Sequence, residues 1–272
     1  MSNDCVLLER QGPVSYVTLN RPDKLNAIND ALRVAFVETM DKADADPESR
    51  VVVVRGAGRA FCPGYDISGE DGGDDSWKSD PYVWREYLHR CLTFEMKPLE
   101  IAKPVIASVK GYAVGGGCEL AMFCDLTICG ESAKFGEPEI RFSDAGPAMI
   151  MPFVVGHKRA REMLYFGDLI DAQTALECGM VNRVVPDDNL EEATAKYAER
   201  LALIDPEALT GTKLALRRGL EAGGFVTALR NGVDVLAPMY AATTESGTAF
   251  EEITKKDGLG AALKWRHGQF KE

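Results

Sequence analysis

Two short glycine-bearing segments, each ending in a carboxylate, hold the residues best suited to chemistry. They are Phe61-Cys62-Pro63-Gly64-Tyr65-Asp66 and Gly111-Tyr112-Ala113-Val114-Gly115-Gly116-Gly117-Cys118-Glu119. At a strand-to-helix junction each would turn a backbone N–H outward. Two N–H groups converging on one point stabilise charge developing on a carbonyl oxygen, and losing one such donor typically costs about 10²–10³ in rate. A third segment, Phe135-Gly136-Glu137-Pro138-Glu139, adds two carboxylates to that of Glu119. A pair of carboxylates across a cleft divides proton transfer: one takes a proton while the other delivers one. In an extended segment Glu137 and Glu139 share a face, so the residues alone leave open which is the second carboxylate. No histidine is needed, and His89, His157 and His267 sit in no catalytic motif. Each feature has a plainer alternative. Residues 115–117 could be a tight turn, Glu119 half of a structural ion pair, and Glu139 a surface cap.

The elements that must position these groups follow from pattern. Residues 15–19 read as a strand stopped at Arg21-Pro22-Asp23. Asn29 or Asp30 caps a helix over 31–42 with Leu32, Phe36 and Met40 on one face. The β-branched runs at 51–55, 105–109 and 126–129 read as buried strands, and the apolar stretch 119–124 as a helix. Strands alternating with helices argue for an α/β architecture. Asp66 is most simply the N-cap of the next helix. The polar run at 70–76 reads as a mobile, solvated loop. After residue 187 strand signals stop, and the remainder reads as helices broken near Pro206, Gly223-Gly224 and Pro238. The expected division is a catalytic unit over 1–195 and a helical region over 196–272.

Composition narrows the function. The 272 residues are 46% hydrophobic and 27% charged, enough to bury a sizeable core. A net charge of −11 argues against binding nucleic acid or an anionic membrane through a basic face. The seven cysteines contain no CxxC pair, which disfavours a metal or redox site and suits a reducing compartment. The N-terminal residues lack a basic start and a long apolar run. A signal peptide and a membrane span are therefore not expected, and a cytoplasmic location is. A dinucleotide fingerprint does not fit, because the glycines at 111, 115, 116 and 117 do not space as G-x-G-x-x-G.

Five segments in order resemble the crotonase (enoyl-CoA hydratase/isomerase) superfamily. Asn20-Arg21-Pro22-Asp23-Lys24-Leu25-Asn26-Ala27 is similar to its opening signature, and the two glycine segments to its two oxyanion turns. Phe135–Glu139 of the third segment matches its Phe-Gly-x-Pro-Glu element, and Gly179-Met180-Val181-Asn182-Arg183-Val184-Val185 its later Gly-Leu-Val-Asn stretch. The resemblance covers roughly residues 5–200. It implies a spiral of ββα turns followed by C-terminal helices that pack trimers, often stacked as hexamers. It implies an acyl-CoA thioester as partner and no metal or redox cofactor beyond the coenzyme A of the substrate. By motif position it assigns the oxyanion N–H groups to Tyr65 and Gly116, and the acid–base carboxylates to Glu119 and Glu139. Lys24, Asn26, Ala27, Gly64, Asp66 and Gly115 would line the substrate and its CoA portion. Trp265 and Arg266 could pack on a neighbouring subunit.

One stretch departs from the family. Where many hydratases resemble one another in a Pro-Gly-x-Gly-Gly-Thr run, this chain has Asp144-Ala145-Gly146-Pro147-Ala148-Met149. Ungapped alignment puts Pro147, which has no N–H, where a backbone donor helps hold the attacking water; a one-residue slip puts Gly146 there. The first expectation is an enoyl-CoA hydratase adding water syn to a 2-enoyl-CoA. The alternative is a double-bond isomerase, which needs no water. A non-catalytic crotonase-like binding protein, for instance one that binds RNA, would want a basic face.

Overall fold

The computed structural model describes residues 5–68 and 78–270; the loop anticipated at 70–76 lies outside them. The β-branched runs form the parallel centre of a six-stranded sheet. In chain order the strands are β1 (Val6–Gln11), β2 (Val14–Leu19), β3 (Val51–Gly56), β4 (Val105–Val109), β5 (Tyr112–Val114), β6 (Leu126–Gly130), β7 (Lys134–Gly136), β8 (Ile170–Asp171) and β9 (Arg183–Val185). The large sheet has the order β1-β2-β3-β4-β6-β9, and a smaller one the order β5-β7-β8. β1 pairs antiparallel with β2, and the rest of the large sheet is parallel. Every residue of β2 and β4 is buried, as expected for parallel strands covered on both faces.

The helices are α1 (Asp30–Ala45), α2 (Pro81–Glu100), α3 (Gly116–Phe123), α4 (Met151–Val155), α5 (His157–Phe166), α6 (Ala172–Glu177), α7 (Leu190–Leu201), α8 (Pro206–Ala222), α9 (Phe225–Tyr240), α10 (Glu245–Asp257) and α11 (Leu259–Gly268). Asn29 caps α1, its Oδ1 accepting from Leu32 N at 3.0 Å. Leu32, Phe36 and Met40 are fully buried along the inner face of α1.

The chain winds as a spiral of ββα turns. Each turn lays a strand in the large sheet, adds a short extended piece beside the small one, then leaves into a helix. The extended pieces are Ile28 bridged to Tyr65, Cys62 bridged to Ala113, and β5 paired with β7. Their ends fall at strand-to-helix junctions, where the glycine segments sit. In consequence the junctions of successive turns stack side by side, although they are about fifty residues apart in sequence.

Three sequence expectations can be set against the structure. The boundary after residue 195 falls inside α7, whose Leu190 and Ala198 pack with Val51, Val53 and Ile106 of the large sheet, so the helical region begins at α8. The helix break expected near Pro238 is present: Pro238 sits in the last turn of α9, which ends at Tyr240 before α10 begins at Glu245. Arg266 is buried against this chain, with its guanidinium 5.5 Å from the Phe270 ring.

The C-terminal helices are fastened to the spiral by polar as well as apolar contacts. Lys213 of α8 meets Asp125 Oδ2 at 2.7 Å and donates to the carbonyls of Pro98 and Lys103. Asp125 also accepts from Val105 N, the first residue of β4. α9 lies on α2, burying Leu229, Val233 and Ala237, and the Tyr240 ring tilts against Trp84 at 4.8 Å. α10 and α11 fold over the 3-10 turn Pro138–Phe142, with Phe142 edge-on to Phe250 at 5.3 Å.

Candidate active site

The two glycine turns meet backbone to backbone. Gly64 has φ 99° and Gly115 has φ 56° with ψ −132°, conformations that a residue with a Cβ adopts only under strain. A Cβ on Gly64 would lie 3.1 Å from Val114 O and 3.5 Å from Gly116 N. The Gly64–Tyr65 peptide and the start of α3 are therefore in direct contact. Gly116 is the first residue of α3, where helical N–H groups have no partner in the helix. Among the described residues, neither Tyr65 N nor Gly116 N donates to a backbone carbonyl. Two N–H groups near one another at a helix N-terminus suit a developing oxyanion.

The loop of Lys24, Asn26 and Ala27 is tied to the first turn. Ile28 N donates to Gly64 O at 2.9 Å, and Asp66 N to Ile28 O at 2.9 Å. Asn26 is fully buried; its Nδ2 donates to the carbonyls of Ala57, Ala60 and Phe61, and its Oδ1 accepts from Arg21 N. Its side chain thus has no group left for a substrate and acts by holding the loop's shape. Arg21 bridges Ala27 O to Asp66 Oδ2, the latter at 3.0 Å. Among the described residues Asp66 caps no helix. Its Oδ1 accepts from the N–H and hydroxyl of Ser68, and the cap of α2 is Asp80, accepting from Tyr82 N at 2.8 Å. Lys24 ends the short 3-10 turn Pro22–Lys24 of the same loop.

Four glutamates gather behind these turns. Glu119 projects from α3 and is fully buried, its Oε1 accepting from Ala148 N at 2.7 Å. Glu139 lies in the 3-10 turn after β7, only partly exposed. A Cβ on Gly115 would fall 2.2 Å from its Oε1, so this carboxyl rests on the second glycine turn. Glu137 is buried with neither oxygen bonded among the described residues. Glu95 of α2 is fully buried and accepts from Tyr65 OH at 2.6 Å.

Glu95 and its helix were not read from the sequence. The signal was present: Glu95 falls four residues after Cys91 and seven after Leu88, on a buried helical stripe. Of Gly146 and Pro147, it is Gly146 that lies against the carboxyls. Gly146 backs onto the carboxyls, its Cβ position lying 2.5 Å from Glu119 Oε1 and 2.7 Å from Glu137 Oε2. Ala148 supplies the N–H to Glu119. Tyr240, also missed, donates its hydroxyl to Ala145 O and steadies this stretch from α9.

The electrostatics follow from crowding acids in a dry place. Burial, then repulsion from Glu95 and Glu139, raises the Glu119 carboxyl well above the ordinary range. Burial, then Glu119 and Glu139, does the same to Glu137. Glu139 is pushed up to about 7, chiefly by burial. Asp144, also through burial, rises to about 7. Carboxyls poised near neutrality are suited to proton transfer.

These shifts fix the sign of a pH effect on stability. The folded Glu139 and Asp144 bind protons more tightly than the unfolded chain, whose carboxyls titrate near 4.5 and 3.8. Their contribution is full below those unfolded values and is lost as pH rises through about 7. The wild-type melting temperature is expected to fall relative to the Glu139→Gln/Asp144→Asn double variant between about pH 5 and 8. Parallel pH profiles for the two proteins would contradict the shifts.

A surface cleft of about 400 Å³ lined by Arg10, Arg50, Glu199 and Leu203 shares no residue with the glycine turns. Among the described residues no group of three or more His, Cys, Asp or Glu is arranged to hold a metal ion.

Comparison with known proteins agrees with this geometry. The enoyl-CoA hydratase/isomerase family profile matches residues 9–257. A probable enoyl-CoA hydratase of Rhizobium meliloti is 33% identical over 276 residues, spanning 100% of this chain and 99% of that protein. The 2,3-dehydroadipyl-CoA hydratase of Escherichia coli K12 is 33% identical over 274 residues, spanning 98% of each. The crystal structure of an enoyl-CoA hydratase/isomerase from Xanthobacter autotrophicus Py2 superposes with a TM-score of 0.94 at 36% identity, covering 100% of both chains. With its spiral, its paired glycine turns and its full-length relatives, the chain belongs to the enoyl-CoA hydratase/isomerase family.

Proposed function

We propose that this protein adds water syn across the double bond of a 2-enoyl-CoA thioester. What supports the reading is Glu139 resting on the Gly115 turn, Glu119 close enough to feel its charge, and the N–H groups of Tyr65 and Gly116, which among the described residues donate to no backbone carbonyl. The thioester oxygen would take both N–H groups, which bind it more tightly as enolate charge develops. Glu119, with a backbone N–H already donated to it, takes a proton from water as oxygen attacks the β-carbon. Glu139, pushed up to about 7, delivers a proton to the α-carbon. Lys24, Ala27, Gly64, Asp66 and Gly115 would border the thioester and its CoA, with Asn26 shaping the loop. The reaction calls for no cofactor beyond that CoA.

Isomerisation is the second reading. It is favoured by Ala148, whose N–H is committed to Glu119 rather than to a water. Incubation with 2-enoyl-CoA substrates in H₂¹⁸O and ²H₂O separates the two. Hydration places ¹⁸O on the β-carbon and deuterium on the α-carbon. Deuterium with a migrated double bond and no ¹⁸O would replace hydration by isomerisation.

The same reading includes a homotrimer or a dimer of trimers. Support comes from apolar side chains left on the surface, including Tyr165, Phe166, Leu203 and Val235. A cytoplasmic location is supported by the cysteines at 62, 91, 118, 124, 129 and 178, which form no disulfide. Among the described residues no helix is long and apolar enough to cross a membrane.

A further inference from the structure

The reaction as written leaves Glu95 without a task, yet this carboxyl stands where both halves of the site join. Its Oε1 accepts from Tyr65 OH at 2.6 Å and lies 3.1 Å from the Cβ position of Gly116. The Tyr65 ring in turn lies 2.6 Å from that same position, so Glu95 and Tyr65 together press on the start of α3. Among the described residues, the second oxygen of Glu95, Oε2, is buried without a donor, and so is Oε2 of Glu119. The two carboxyls are nevertheless within hydrogen-bond reach of each other.

Titratable groups face the pair from every side. Tyr65 and Cys62 come from the first glycine turn, Cys91 from α2, Cys118 from α3, Glu137 and Glu139 from the end of β7 and the turn after it, and Tyr240 from α9. No lysine or arginine stands among the groups acting most strongly on Glu95, Glu119 or Glu137. Two carboxylates this close, with no cation among their strongest neighbours, cannot both be ionised, and one proton between them relieves the repulsion.

We propose that Glu95 is a positioning residue that shares a single proton with Glu119, so that the two work as one acid–base group tied through Tyr65 to the oxyanion turn. The pair carries one negative charge. It takes the water's proton as a monoanion, while Tyr65 OH holds the charge in place. Burial raises both carboxyls, which keeps the shared proton on the pair at neutral pH. This assignment rests on Glu119 being the acid–base residue of the proposed hydration, so its first test does not depend on turnover.

Infrared difference spectra of the unliganded protein at neutral pH read the carbonyl stretch of protonated carboxyls. One such band is expected to vanish in Glu95→Gln and, separately, in Glu119→Gln. In each variant the new amide N–H donates to the remaining carboxylate and lets it ionise. Survival of the band in either variant means a proton held by one residue alone, and overturns the pair. The second test is the pH profile of kcat on a 2-enoyl-CoA. In Glu95→Gln the acid limb moves to lower pH by about one unit or more. The KM stays within about twofold. Tyr65→Phe keeps the backbone N–H but removes the donor to the anion, so its limb moves the opposite way, to higher pH. Uniformly depressed rates with both limbs in place would make Glu95 merely structural and overturn the proposal. Should Glu95→Gln fail to fold, Glu119→Gln and Tyr65→Phe carry the same two tests. Band loss in a wild-type background inactive on enoyl-CoA would retain the pair and reject the hydration.

Discussion

Glu119→Gln and Glu139→Gln each lower turnover by at least about 10², the low end for a positioned acid or base. Neither change is expected to cost the fold. The amide is isosteric, Ala148 N can still donate to the carbonyl of the new amide in Glu119→Gln, and replacing an acid in this crowded pocket relieves repulsion. Both variants should keep their affinity for a CoA thioester, because neither removes the N–H groups of Tyr65 or Gly116. The measurement is kcat and KM on one 2-enoyl-CoA, with thermal melts alongside. The choice of Glu139 over Glu137 is at risk in the same experiment. Glu139 rests on the Gly115 turn and is partly exposed although its Oε2 is buried, whereas Glu137 is buried against Gly146. Wild-type rates in Glu139→Gln together with a collapse in Glu137→Gln would reverse the assignment.

A single methyl group at Gly115 is expected to be nearly as damaging. Gly115→Ala would force a Cβ to φ 56°, a conformation whose strain costs about 1–3 kcal/mol. The methyl would also land 2.2 Å from Glu139 Oε1, so the carboxyl must move. Displacing a catalytic group by about 1 Å can cost about 10² in rate. Because the damage runs through Glu139, the two changes should not add. In a Glu139→Gln background, Gly115→Ala should cost less than alone, with a coupling of about 1 kcal/mol or more. Full additivity would mean that the methyl acts elsewhere, through the Gly116 N–H alone.

Much of this architecture was legible because its signals are local. The β-branched runs at β2, β3, β4 and β6 need no partner to be recognised, since a strand buried on both faces is apolar throughout. Asn29 announces α1 by its own side chain. The short strands β5, β7 and β8 were not legible as strands. Two or three residues hold no period, and their pairing exists only because successive turns of the spiral bring them together. Asp66 illustrates the same limit from the other side. Its sequence context suits a helix cap, but Arg21, forty-five residues earlier, claims the carboxylate instead.

What the sequence by itself determined is the inventory of the site: two glycine turns able to present N–H groups, and carboxylates at 119, 137 and 139 in place of histidine. Chain order and residue type suffice for that, because glycine's freedom at positive φ and a carboxylate's proton chemistry belong to the residue. Tertiary structure alone decided how these groups stand to one another. It set Gly146 rather than Pro147 against Glu119, buried Glu137 while leaving Glu139 partly open, and brought Glu95 across from α2 to face Glu119. The physical reason is desolvation and distance. A carboxyl's proton affinity depends on which charges and donors lie within a few ångströms, and those neighbours come from separate turns of the spiral.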